Sequence, residues 1–304
     1  MGFLFCMIRL ESVMSIMQAY KTECPQCHGG NFYITPENGK RYCFNCAYFE
    51  SDGVFTAPHR AQDINGIRQF YTEIADYYHS CLTPDHISYL NRRGISDNSI
   101  EKFKLGFVPQ STHILYNDSV AVESGMVTEK RAPFLANRIV FPYYVNSTVT
   151  DFRGRFVGEH EVKYLSPKGS SYYRGADYAF NHAALESQKV VITEGDPKAI
   201  VSEQLHVPTI SIPGILSIRP QVKQRAGQTF IACFDSQIEH MYDVIRAIQR
   251  LASMVESLLV ATLPLCGFDK MDIDTFILLK GAEAYKRVID RALPYNTWVK
   301  LIRP

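Results

Sequence analysis

Net charge is almost absent from this chain: 32 Lys and Arg stand against 31 Asp and Glu, a formal +1 at pH 7 over 304 residues. That balance excludes a chain-wide basic field for gripping nucleic acid, so any such surface has to be local. Long apolar runs are missing too. No span reaches the roughly 20 residues needed to cross a bilayer. Met1 to Met17 is apolar, but Arg9 and Glu11 interrupt it. It reads as a short element packed on the adjoining module rather than as a signal peptide. Met7, Met14 and Met17 are alternative starts. No Gly-x-x-x-x-Gly-Lys-Ser/Thr phosphate loop occurs, which excludes a P-loop motor within the sequence. Internal repeats and low-complexity tracts are absent as well.

What is present begins with cysteine. Cys6, Cys81, Cys233 and Cys266 are scattered, as expected in a reducing cytosol. The other four form two knuckles, Cys24-Pro-Gln-Cys27 and Cys43-Phe-Asn-Cys46, fifteen residues apart. Two thiolates on one tight turn can reach the same ion at about 2.3 Å, and a second turn completes a tetrahedron. The spacing points to a structural zinc ribbon with Zn²⁺ on Cys24, Cys27, Cys43 and Cys46. Gly29, Gly30, Asn38 and Gly39 supply its turns. Two disulfides or four unrelated thiols are the alternatives.

Turn chemistry from Ser51 to Gly66 predicts a linker. A helix is expected from Ile67 to Cys81, then Ile87 to Arg92, a break at Gly94, and a helix capped by Ser96 that carries Ile100 and Phe103. This compact unit could read DNA or simply pack. Arg138 to Val145, a turn at Asn146-Ser147 and Thr148 to Phe152 predict β-structure. The segment is locally basic, with Arg138, Arg153, Arg155, Lys163, Lys168 and Arg174 against Asp151, Glu159 and Glu161.

Beyond it the pattern alternates. Strands are expected at Val190–Thr193, Thr209–Ile212, Phe230–Phe234 and Leu258–Leu263. Helices are expected from Lys198 to Leu205 and over the Ile238–Val255 periodicity. Strand–helix–strand alternation predicts a parallel sheet, and ligands bind such sheets beyond the carboxyl ends of the strands. Glu194 and Asp235 fall there. Asp272 and Asp274, two residues apart in a loop, can turn toward the same place. Hard oxygen donors in this number suit Mg²⁺ and displacement at phosphorus. Helix capping or plain solvation is the alternative for each acid taken singly.

Several separated motifs then fall in one order. They are Tyr89-Leu90-Asn91-Arg92-Arg93-Gly94-Ile95, Ile100-Glu101-Lys102-Phe103-Lys104-Leu105-Gly106-Phe107, Arg138-Ile139-Val140-Phe141-Pro142, Arg153-Gly154-Arg155, Lys163-Tyr164-Leu165-Ser166-Pro167 and Tyr173-Arg174-Gly175. Glu194-Gly195, Phe234-Asp235-Ser236-Gln237 and Asp272-Ile273-Asp274-Thr275-Phe276-Ile277 complete the series. The arrangement resembles DnaG-type bacterial and phage DNA primases.

The resemblance implies an α/β fold in parts: a zinc ribbon at 1–50, a linker at 51–66, a basic mixed α/β subdomain at 67–185 and a TOPRIM parallel-sheet domain at 186–304. It implies synthesis of short RNA primers on single-stranded DNA from ribonucleoside triphosphates, in the cytoplasm of a bacterial or phage-infected cell. Arg138, Arg155, Lys163, Tyr164 and Arg174 are implied to bind template and nucleotide. Glu194, Asp235, Asp272 and Asp274 are implied to be catalytic and to organise Mg²⁺ or Mn²⁺. The helical unit becomes scaffold, and the helicase would be a separate protein, with no membrane partner. Three positions depart from the family pattern. Gln237 replaces the second Asp of its motif, with Glu239 two residues on; Lys198 stands where an Asp is common; and Ser166 replaces an Asn. A non-catalytic single-stranded-DNA-binding replication accessory and a TOPRIM nuclease or topoisomerase are the rival functions.

Overall fold

The computed structural model describes residues 20–23, 32–34, 41–43, 49–50, 64–111, 119–128, 132–158, 162–167, 179–215, 224–237, 239 and 241–302. The chain divides into two compact units, Met1–Asp63 and Ile64–Pro304. In the first, β1 (Tyr20–Thr22), β2 (Phe32–Ile34), β3 (Arg41–Cys43) and β4 (Phe49–Glu50) form an antiparallel sheet in sequence order. Short antiparallel strands are what the ribbon reading expects. Cys43 ends β3, whereas Cys24, Cys27 and Cys46 lie outside the described residues.

The second unit opens with α1 (Ile64–Ser80). Its Ile67, Phe70, Tyr71, Ile74, Ala75 and Tyr78 are buried at helical spacing, with Gln69, Glu73 and Asp76 on the solvent side. Pro84 opens α2 (Pro84–Arg92) behind Thr83, a place where the missing N–H costs nothing. Gly94 (φ +82°) turns the chain out of α2, and its N–H donates to the Asn91 carbonyl at 2.9 Å. Ser96 caps α3 (Asp97–Lys102), its hydroxyl accepting from the Ser99 N–H. Leu90, Ile95, Ile100 and Phe103 from this region join Ile139, Phe141, Phe180 and Ile200 in one core. The unit is therefore a packing element.

A four-stranded antiparallel sheet comes next, formed by β5 (Gly106–Val108), β6 (Arg138–Val145), β7 (Thr148–Phe156) and β8 (Tyr164–Leu165), with α4 (Ser119–Glu123) between the first two. Asn146 and Ser147, at φ +48° and +66°, make the tight β6–β7 turn. At Gly106 the backbone of α1 comes so close that a Cβ would stand 2.6 Å from the Tyr78 carbonyl carbon and 2.8 Å from the His79 nitrogen. Backbone cannot yield as a side chain does. Gly106→Ala is therefore expected to destabilise the chain by about 2–3 kcal/mol, measurable as a lower urea midpoint at unchanged slope.

The second sheet has the order β10–β9–β11–β13–β15, built from β9 (Lys189–Glu194), β10 (Thr209–Ile212), β11 (Thr229–Ala232), β13 (Leu258–Val260) and β15 (Leu293–Pro294). The first four are parallel and β15 runs antiparallel at the edge. Val190, Ile192, Phe230 and Ala232 pack on one face against α6 (Met241–Ala252) and Trp298 of α9 (Tyr295–Ile302). Val191, Ile231 and Cys233 pack on the other, against α7 (Ile273–Lys280) and α8 (Ala282–Asp290). Burial on both faces is why these strands read as unbroken apolar runs. The helix after β9, α5 (Asp196–Glu203), starts two residues before the expected Lys198. The strand expected to reach Leu263 ends at Val260. A separate two-stranded antiparallel sheet pairs β12 (Ser236–Gln237) with β14 (Lys270–Met271). Among the described residues no helix is long and apolar enough to cross a membrane.

Candidate nucleotidyl-transfer site

Parallel pairing brings the carboxyl ends of β9 and β11 side by side, and with them Glu194 and Asp235. Asp235 is buried. Lys198 of α5 donates to its Oδ1, and Lys270 of β14 reaches Oδ2 at 3.1 Å. Burial alone would lower the Lys198 ammonium, but Asp235, Asp272 and Glu194 more than offset it and hold the group above its ordinary range. Glu194 moves upward as well: burial raises it, against an opposing pull from Lys198. Gln237 lines a mostly apolar cavity with Val244, Ile248 and Trp298, and Glu239 is exposed.

Asp272 and Asp274 are not loop residues free to turn together. Asp272 is the N-cap of α7, its Oδ1 accepting the Thr275 N–H at 3.0 Å, and Asp274 lies in the first turn. The capping alternative thus holds for Asp272, although the two acids still interact. Asp274 Oδ2 accepts from Arg93, while its buried Oδ1 meets no donor. That oxygen is satisfied when Asp274 carries a proton and gives it to Asp272. Burial, and then Asp272, push Asp274 up to about 6 against the pull of Arg93. Burial also lifts Asp272, but Asp274, Thr275 and Lys198 bring it down to about 2.

The antiparallel sheet reaches this edge through Arg153, which acts on Glu194. Arg155 donates from Nε to the Tyr89 hydroxyl at 2.7 Å and from a terminal nitrogen to Tyr164. The Arg153 guanidinium lies 4.4 Å from the Tyr164 ring centre and donates to the Pro213 carbonyl. Lys163 is exposed at the end of this sheet. Arg138, expected beside template or nucleotide, is buried and donates to the carbonyls of Val162 and Lys163 at 3.0 and 3.2 Å. It fixes the strand that presents Lys163 and Tyr164. Arg174 lies outside the described residues.

Sequence reasoning missed Arg93, Lys270, Tyr89 and Asp196. Asp196 is fully buried at the start of α5, accepting from Tyr143 (2.9 Å) and Ser211 (2.7 Å). Burial pushes its carboxyl up, with Arg153 opposing. Asp196 directly follows Glu194-Gly195, the one local signal that could have drawn attention to it.

Residues 77–186 match the family described as DNA primase catalytic core, N-terminal domain. This chain is similar to the DnaG-type DNA primases. It is 25% identical over 265 residues to the DNA primase of Pasteurella multocida, covering 78% of this chain and 45% of that protein. It therefore spans less than half the length of that primase. In fold it is similar to the zinc-binding and RNA polymerase domains of the Aquifex aeolicus primase (TM-score 0.64, 18% identity, covering 96% of this chain and 85% of that one). It is also similar to a DnaG primase catalytic domain bound to single-stranded DNA (TM-score 0.58, 19% identity, covering 76% and 82%). The mixed α/β architecture expected from sequence is thus that of the DnaG core.

The present partners of these acids bear on whether they suit a divalent metal. Among the described residues, no three carboxylate, thiolate or imidazole side chains converge as a ready cage, and both oxygens of Asp235 are taken by lysines. As arranged, the edge does not fit the multi-carboxylate metal centre that the family resemblance implies.

Proposed function

We propose that this chain synthesises short RNA primers on single-stranded DNA in phage or mobile-element replication, in the cytoplasm of a bacterial or phage-infected cell. The observation that carries this reading is the meeting of two sets of side chains. Glu194 at the carboxyl edge of the parallel sheet lies within electrostatic reach of Arg153 of the antiparallel sheet, whose guanidinium packs over Tyr164, and Arg93 meets Asp274 beside them. A growing strand needs the same combination: cations and rings against phosphates and bases, acids where a hydroxyl must be ionised.

In the proposed reaction the 3′-hydroxyl of one ribonucleotide attacks the α-phosphate of the next, and pyrophosphate leaves. Glu194, lifted by burial, is the group to accept the hydroxyl proton. Arg155 and Tyr164 hold each other in place and, with Lys163, bind strand and nucleotide, as does Arg174. Asp235 orders Lys198 and Lys270, and Mg²⁺ or Mn²⁺ would arrive with the triphosphate, whose charge it would neutralise, rather than in a preformed carboxylate cage. Cys24, Cys27, Cys43 and Cys46 would hold a structural Zn²⁺ in the module that inspects template. A separate helicase would open the duplex.

The deciding measurement is incorporation of labelled ribonucleotides by the full chain on single-stranded DNA with Mg²⁺ or Mn²⁺. Template-dependent products are expected. Binding without synthesis under every metal would overturn the enzymatic reading and favour a DNA-binding replication accessory. Gln237 and the two lysines on Asp235 are the observations on that side. Cleavage of plasmid DNA would point instead to a TOPRIM nuclease.

A further inference from the structure

The acids of the sheet edge already have a cation among them. Lys198 stands in the first turn of α5, and its side chain is 11% exposed, facing Asp235 at 5%. The same ammonium acts electrostatically on Glu194, Asp272 and Asp274. The buried Oδ1 of Asp274 meets no donor of its own, and its only hydrogen-bonding role is toward Asp272 when Asp274 is protonated. Lys270 closes the second oxygen of Asp235 from the outer side, with its own side chain 56% exposed. A divalent ion bridging Asp235 to its neighbours would need the oxygen that Lys198 holds, and would sit beside a fixed positive charge.

We propose that Lys198 is the resident cation of this edge, its ammonium taking the place that a divalent ion would otherwise fill between Asp235 and the neighbouring carboxylates. The ammonium offers three donors and cannot be washed out or exchanged as a metal can. It therefore keeps Asp235 oriented whatever the metal supply, and the edge takes one divalent ion fewer than its acids would allow. This deepens the catalytic reading of the same edge and rests on it for the site's purpose, but metal binding is measured without nucleotide. A chain that makes no primer still passes or fails this test.

The experiment is titration of the zinc-loaded full chain with Mn²⁺, free ion being followed by electron paramagnetic resonance. Three chains are compared: wild type, Lys198→Met, and Lys198→Met with Asp235→Asn. Lys198→Met is expected to bind one more Mn²⁺ than wild type, or to bind its ion about tenfold more tightly, and Asp235→Asn is expected to cancel that gain. Equal Mn²⁺ binding by wild type and Lys198→Met overturns the proposal. If Lys198→Met does not fold, amine-reactive labelling of the wild type read by mass spectrometry decides instead. Lys198 is expected to stay unlabelled with and without millimolar Mn²⁺, while labelling brought on by Mn²⁺ shows that metal displaces the lysine and overturns the proposal.

Discussion

Replacing Glu194 by Gln is expected to slow template-directed incorporation about 10²–10⁴-fold, the range a positioned general base supplies, with single-stranded DNA binding and the unfolding midpoint unchanged. The substitution keeps shape and hydrogen-bonding capacity and removes only the charge and the ability to take a proton. Glu194 ends β9 beside Asp235, so its position comes from the sheet and not from its own ionisation. Burial raises its pKa. Wild-type incorporation should therefore climb with pH through a value above the ordinary glutamate range as the carboxylate form fills, and Glu194→Gln should lose that limb. A parallel fall in DNA binding or in midpoint would show that Glu194 supports the fold rather than the reaction.

The second large effect is on stability. Arg93→Met removes the cation bonded to Asp274, whose side chain is 6% exposed, and leaves that acid without its ion-pair partner. Removing one partner of a buried pair costs about 3–5 kcal/mol when the other stays charged. The cost should depend on pH, and the sign follows from linkage. Asp274 is raised to about 6 in the folded chain, with burial first and Asp272 next opposing the pull of Arg93. A raised acid holds its proton in the folded state after the unfolded chain has released it. It therefore draws stability down as pH rises from its unfolded value toward the folded one. Without Arg93 the folded value moves higher still, and the loss continues into the neutral range. Urea unfolding without added divalent ion should show a cost of about 1 kcal/mol near pH 5, where Asp274 is protonated in both chains, and about 3 kcal/mol near pH 8. A cost independent of pH would mean that Arg93 acts through packing and not through the Asp274 charge.

Both predictions concern residues that the linear pattern treats very differently. Glu194 was legible because an unbroken apolar run ended on an acid followed by glycine, and a parallel strand buried on two faces cannot end otherwise than at a sheet edge. Arg93 was not legible. In sequence it is the second of two arginines closing α2, 181 positions from the acid it meets, and no periodicity connects them. Asp272 and Asp274 stood between these cases: their spacing allowed one shared site, but it did not tell that one would cap α7 and the other turn inward.

Linear pattern was enough for the set of elements and the order of the chemistry. The two-residue period and the helical period are local properties, and so are the Ser96 cap and the turn at Gly94. The run of motifs from Tyr89 to Ile277 was enough to point to the DnaG-type primases, to which the chain is similar. The partnership of charges, by contrast, emerged only on folding. Arg138 went to backbone carbonyls, Asp235 to Lys198 and Lys270, and Asp274 to Arg93. Each buried charge takes the nearest group that can satisfy it, and which group is nearest is set by the packing of helices and sheets far apart in the chain. The near-zero net charge thus concealed a site in which acids and bases neutralise one another side chain by side chain.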